Sequence, residues 1–176
     1  MLRKAATDRR LRPMARDEIQ IYYHAALTAY VAAWDAYINN LVRNFYDVIA
    51  DPSDPKFRAI YTIARQRAEN ALTRFNTPNS ENTRNIFLWY TGYDPINTLL
   101  WIQRGKLDDI IEVRHSFAHG FDIQQPNAWM QSLSRRGHLT SKAVQEVEAF
   151  FKNLVEVTDN GMKAHIEATY GLANIW

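Results

Sequence analysis

The sequence predicts an all-α protein, a bundle of about five to seven helices with two long ones, about 17–50 and about 141–170. Three observations predict it. Ile19, Tyr23, Ala26, Tyr30, Trp34, Tyr37, Leu41, Phe45 and Val48 step by three and four residues, the spacing that lines one face of a helix. Val144, Val147, Leu154, Val155, Met162 and Ile166 supply a second such face near the C-terminus. No stretch alternates apolar and polar residues as a half-buried strand would, and no internal repeat or low-complexity tract is present.

In the first long helix, Asp17 and Glu18 suit the positive N-terminal end of the helix dipole, and Pro52 and Pro55 bar continuation. Leu27, Val31, Ile38, Val42 and Ile49 widen the stripe, as a central bundle member requires. Asp35 interrupts that second set. A carboxylate on an apolar face needs a cation, several donors or water, so Asp35 is either a boundary residue or an orienting partner for a cation elsewhere in the chain. His24 lies on a mixed face and reads as an ordinary surface or interface histidine.

Asp54 is placed to cap a second helix, from Pro55 to about 75. It carries Arg58, Arg65, Arg67 and Arg74, which form a solvated face or line a groove that tracks a nucleic-acid backbone. Ser80 to Thr83 cap a short helix that Gly92 stops. Asp94 and Pro95 look like another cap and first helical residue, leading into Leu99, Leu100 and Trp101. After Gly105 a helix is expected over 106–118, with Asp108 and Asp109 near its N-terminus, where the dipole accounts for them. A short helix follows near 127–133, and Thr140 or Ser141 caps the last long one.

With 176 residues the chain is long enough to bury a core as one domain, and 47% hydrophobic residues set it apart from disordered segments. The absence of cysteine excludes disulfides, thiol catalysis and a cysteine-based zinc site, and fits a reducing, cytoplasmic setting. No signal peptide is visible, and no apolar run approaches the roughly 20 residues that span a membrane. The net charge of +2 conceals an asymmetry. Residues 1–16 hold Arg3, Lys4, Arg9, Arg10, Arg12 and Arg16 against Asp8, a local net of +5, which leaves −3 for residues 17–176. The first segment therefore reads as a basic arm, either a solvated terminus or a source of sequence-independent attraction to phosphates. The remainder reads as one helical domain.

Chemistry concentrates between Ile110 and Phe121, where an apolar helix ends in Arg114, His115, Ser116 and His119 before Gly120. Glycine accepts the left-handed conformation that often stops a helix, which would leave His119 beside the last free carbonyls. A histidine there can give or take a proton near neutral pH, and a forked arginine suits a phosphate. In an uninterrupted helix Arg114 and His119 would stand about 140° apart, so they converge on one ligand only if the helix ends near Ala118 or two chains contribute. The plainer alternative is that arginine and histidine merely complement the dipole. His115 and His119 share a face, but nothing nearby supplies a third metal ligand, so neither metal nor cofactor is expected.

Arg114 to His119 followed by Gly120 resembles the Arg-x4-6-His motif of HEPN domains (higher eukaryotes and prokaryotes nucleotide-binding). The local Arg-His-Ser-Phe-Ala-His-Gly is close to the Arg-Asn-x-x-Ala-His-Gly of the RiboL-PSP-HEPN branch. His24-Ala25-Ala26 through Trp34-Asp35-Ala36-Tyr37 is similar to that branch's first long helix, and Phe75-Asn76-Thr77-Pro78 with Asn85-Ile86-Phe87 to its mid-chain Asn-Thr-Pro segment. The resemblance spans about residues 20–168. Two departures stand out: His115 occupies a position where asparagine is commoner, and Phe121 one where some toxins carry a tyrosine modified by a partner nucleotidyltransferase. Without the hydroxyl, that modification cannot occur at this position.

The resemblance implies a HEPN-like bundle acting as a metal-independent endoribonuclease, usually a homodimer with a composite site. In it Arg114 and His119 carry catalysis, His115 assists or positions, and Asp35 and Ser116 support. The implied partners are RNA, a second copy of the chain and a protein antitoxin or other neutralising partner, in a toxin, phage-defence or stress setting, with no membrane. Two alternatives remain: a non-catalytic module that binds RNA or nucleotide, and a structural dimerisation domain.

Overall fold

Helix ends fall where the sequence supplies prolines, polar caps and glycines. The computed structural model describes residues 16–50, 55–118, 127–133 and 138–173, and within them six helices and no strand. They are α1 (Arg16–Ile49), α2 (Pro55–Leu72), α3 (Ser80–Thr91), α4 (Trp101–Ala118), α5 (Ala128–Leu133) and α6 (Ser141–Tyr170). The all-α bundle and both long helices are as the periodicity predicts. Residues 1–15 of the basic arm lie outside the described residues.

Local chemistry sets most boundaries. The Thr140 side chain accepts from the Ala143 amide at the start of α6, and Asn79, rather than Ser80, caps α3 by accepting from Asn82 N at 2.8 Å. Gly92 ends α3 at φ 75°, a left-handed conformation that glycine adopts without a Cβ penalty.

The segment after Asp94 differs from expectation. Its Oδ1 accepts from the Ile96 and Asn97 amides and Thr98 Oγ1 bonds back to the Pro95 carbonyl, which makes a turn rather than a helix. The following helix starts at Trp101, five residues before the expected 106, and runs through Gly105. Asp108 and Asp109 are consequently in mid-helix, and the dipole does not account for them. Asp108 instead accepts from the Ser80 backbone and hydroxyl, both at 2.7 Å, and so ties down the start of α3. Asp109 accepts from Trp129 N at 2.8 Å and does the same for α5. Adjacent residues on a helix point about 100° apart, so two carboxylates side by side serve two different neighbours.

Helix α1 is the axis of the bundle. Gln20 exchanges two hydrogen bonds with the Leu139 backbone, Tyr37 donates to Asp159, and Phe45 meets Tyr170 edge-on, so α6 runs parallel to α1. The Arg43–Glu69 and Arg65–Asp47 ion pairs, 3.0 and 2.7 Å, set α2 antiparallel to it. Trp34 Nε1 to the Pro78 carbonyl and Tyr46 to the Tyr90 carbonyl align α3 with α1. Trp34, Ile38, Phe45, Phe87, Ile110, Leu154 and Met162 are buried among them. Each such side chain contributes about 1.5–3 kcal/mol by leaving water.

Candidate active site

The last turns of α4 lie antiparallel along the first half of α1. Val113 is buried and Ile110 and Ile111 pack in the core, which turns Arg114 to the seam between the helices and His115 to the surface. Arg114 is half-buried, and its Nε is enclosed with no hydrogen-bond partner. Its positive charge acts on Asp35 of α1, the carboxylate that interrupts the apolar stripe. Burial pushes Asp35 upward from the ordinary carboxylate range, while Arg114 and a hydrogen bond from Asn39 Nδ2, at 3.3 Å, pull it down. The same Asn39 amide bonds the Asp35 carbonyl at 2.8 Å, which holds the two residues one turn apart in register. Arg114 therefore lies within electrostatic reach of Asp35, with no ion pair between them.

Beside them Phe117 stacks on His24 of α1, centroids 4.2 Å apart and planes 4° from parallel. His24 is half-buried, with Nδ1 enclosed and unpartnered, and burial lowers its proton affinity. Of the expected surface or interface histidine, the surface reading is corrected: His24 is half-buried and belongs to the packing of the α4 terminus. The signal was present in the sequence, because His24 and Asp35 are eleven apart, three helical turns on one face.

His115 is exposed and Ser116 half-buried on the same final turns. His119, Gly120 and Phe121 lie outside the described residues. Among the described residues no three His, Asp or Glu side chains gather where a metal ion would be held.

The four arginines assigned to a nucleic-acid groove have different surroundings. Arg65 is held by Asp47 at 2.7 Å and the Tyr61 hydroxyl at 3.1 Å, and so helps fix α2 to α1. Arg58 and Arg67 are exposed on α2. Arg74 lies beyond the end of that helix, at Leu72 rather than the expected 75, and lines a cleft between the α2 terminus and α3.

A bundle built on one long central helix, with an arginine in the last turns of the helix packed across it, fits the HEPN domain that the sequence resembles. The profile of the RiboL-PSP-HEPN family matches residues 5–164, and the chain belongs to that family. Among curated proteins and solved structures no match is found. No helix among the described residues is long and apolar enough to cross a membrane.

Proposed function

We propose that this HEPN domain is a metal-independent endoribonuclease. The observation that supports the reading best is the guanidinium of Arg114, in the last turns of α4 within electrostatic reach of the Asp35 carboxylate and with its Nε unpartnered among the described residues. An arginine not consumed by an ion pair keeps N–H groups that suit a phosphate.

In the proposed reaction a histidine removes the proton of a ribose 2′-hydroxyl, whose oxygen attacks the adjacent phosphorus. The bond to the 5′-oxygen breaks, leaving a 2′,3′-cyclic phosphate and a 5′-hydroxyl. Arg114 stabilises the charge growing on the phosphoryl oxygens, a role typically worth about 3–4 kcal/mol. His119 transfers the proton, worth about 10²–10⁴ in rate, and His115 assists or positions. Because a continuous helix would separate Arg114 and His119 around its axis, the reading includes a homodimer in which two copies complete the sites. A toxin, phage-defence or stress role, with RNA as substrate and a neutralising protein partner, completes it.

The test is to incubate the protein and its His119→Ala and Arg114→Ala variants with total RNA in excess EDTA and map the new ends. Cutting by the unsubstituted protein alone, with 5′-hydroxyl ends and no cutting of all-deoxy strands, is the expected result. Equal cutting of DNA, or undiminished cutting by His119→Ala, refutes the mechanism.

A further inference from the structure

Trp89 on α3 is 71% exposed, an unusual position for the largest apolar side chain. It borders a cleft of about 280 Å³ between the end of α2 and α3, close to the lower size of small-molecule sites. The cleft wall is mixed, with Ala71, Phe75, Ile86 and Tyr90 beside polar groups. Arg74 and Asn85 line it, and neither side chain makes a hydrogen bond or ion pair with a described residue.

Two more amides on its wall each make one side-chain hydrogen bond to Thr77. Asn82 Nδ2 donates to the Thr77 carbonyl at 2.9 Å, which leaves Asn82 Oδ1 as an acceptor. Asn76 Oδ1 accepts from the Thr77 hydroxyl at 3.1 Å, which leaves Asn76 Nδ2 as a donor. The buried Ile86 anchors the α3 side of this surface to the core, so Asn82 and Asn85 stand on a rigid element, while Asn76 belongs to the connection from α2.

An exposed indole, amides that offer both a donor and an acceptor, and a guanidinium unpaired among the described residues are what an unpaired nucleotide needs. The ring stacks on the base, the amides read its edge and the cation meets a phosphate. We infer that the α2–α3 cleft is a nucleotide subsite, in which Trp89 stacks one unpaired base of the RNA and Arg74 engages a neighbouring phosphate. The choice of RNA as ligand rests on the ribonuclease reading. The subsite is separate from the Arg114 end of α4 in its residues and in its role, which is to bind and position a flanking nucleotide.

Two measurements test it. In the first, isotope-labelled protein is titrated with adenosine and uridine 5′-monophosphates while the tryptophan indole N–H resonances are followed, that of Trp89 being identified by its loss in Trp89→Phe. The Trp89 resonance is expected to shift saturably, and that of Trp101, 79% exposed on another helix, to stay. No shift at Trp89, or equal shifts at both, overturns the inference. In the second, Trp89→Ala and Arg74→Gln are each expected to raise KM for a short unstructured RNA roughly tenfold with kcat retained, the loss of one stacking or phosphate contact. Unchanged KM in both variants overturns it. If the unsubstituted protein cuts no RNA, the ribonuclease reading fails, and the Trp89 resonance alone decides the cleft.

Discussion

Two glycines in helices, chemically identical in sequence, should respond in opposite directions to the same substitution. Gly161 lies in α6 where a Cβ would overlap the hydroxyl of Tyr93 and come within 2.6 Å of its Cζ. Tyr93 is 9% exposed, edge-on to Phe87 at 6.4 Å and stacked on His165 at 5.8 Å, while His165 Nε2 meets the Thr91 carbonyl at 2.9 Å. The ring cannot swing aside without disturbing that set, so Gly161→Ala forces overpacking that costs about 1–3 kcal/mol. Alanine recovers about 0.5–1 kcal/mol through better helix propensity, which leaves a net loss of roughly 0–2.5 kcal/mol. A Cβ on Gly105 of α4 meets nothing within 4 Å, so Gly105→Ala keeps only the gain, about 0.5–1 kcal/mol. At about 2–4 °C per kcal/mol for a chain of this length, the two melting temperatures should differ by several degrees around that of the unsubstituted protein. Urea unfolding followed by circular dichroism checks both. A Gly161→Ala protein more stable than the original, or a Gly105→Ala protein less stable, refutes the packing described here.

Two further perturbations address the site. Burial raises the Asp35 carboxyl above its ordinary value of 3.8, so its ionisation opposes folding as pH climbs past that value; Asp35→Asn should therefore be at least as stable at pH 7 and should cut RNA roughly tenfold more slowly, having lost the group that orients Arg114. A variant that is stabilised and fully active would remove Asp35 from the site, and a strongly destabilised one would make its charge structural. Burial holds His24 below its ordinary 6.5, so the unfolded chain binds that proton first. Its contribution is intact above about pH 6.5 and fades as pH falls, by at most about 1.4 kcal/mol per pH unit. His24→Phe, which keeps a ring against Phe117, should flatten the stability difference between pH 5 and pH 7 in urea titrations; an unchanged slope would show that His24 is not the group responsible.

The features legible in the sequence are those in which local chemistry and global packing agree. The stripe from Ile19 to Val48 and the cap at Thr140 predict α1 and α6 because nothing nearby competes with the helical reading. The segment from Asp94 to Gly105 was not legible, for a definable reason. An aspartate accepting from amides two and three residues on is the signature of both a helix cap and a turn, and Asp94 makes the turn. Gly105, read as a boundary, is carried inside α4 because Leu107, Ile110 and Ile111 anchor that helix in the core. The partners of Asp108, Asp109 and Arg65 depend on which helices become neighbours, and no spacing rule reports that. Within the candidate site, Asp35 was readable as a carboxylate in need of a cation, and Arg114 acts on it. The His24–Phe117 stack was not, because it couples residues 93 positions apart through the antiparallel placement of α4 on α1.

The distribution of unsatisfied charge bears on why this end of the bundle should be the working one. Elsewhere the described ionisable side chains that join helices are paired: Arg43 with Glu69, Arg65 with Asp47, Asp108 with Ser80. Of the side-chain nitrogens and oxygens enclosed without a partner, those of His24 and Arg114 belong to basic groups, and the others to hydroxyls and one indole. Both basic groups flank the α4 terminus, and the desolvated Asp35 faces the same seam. An enclosed donor that meets no acceptor costs about 1–3 kcal/mol, more when charged, so Arg114 is held here at a cost. On the proposed ribonuclease reading, the N–H groups of Arg114 other than the enclosed Nε are the ones a phosphate would meet. That makes the arginine at the α4 terminus the residue whose substitution should change affinity for an anion most while disturbing the core least.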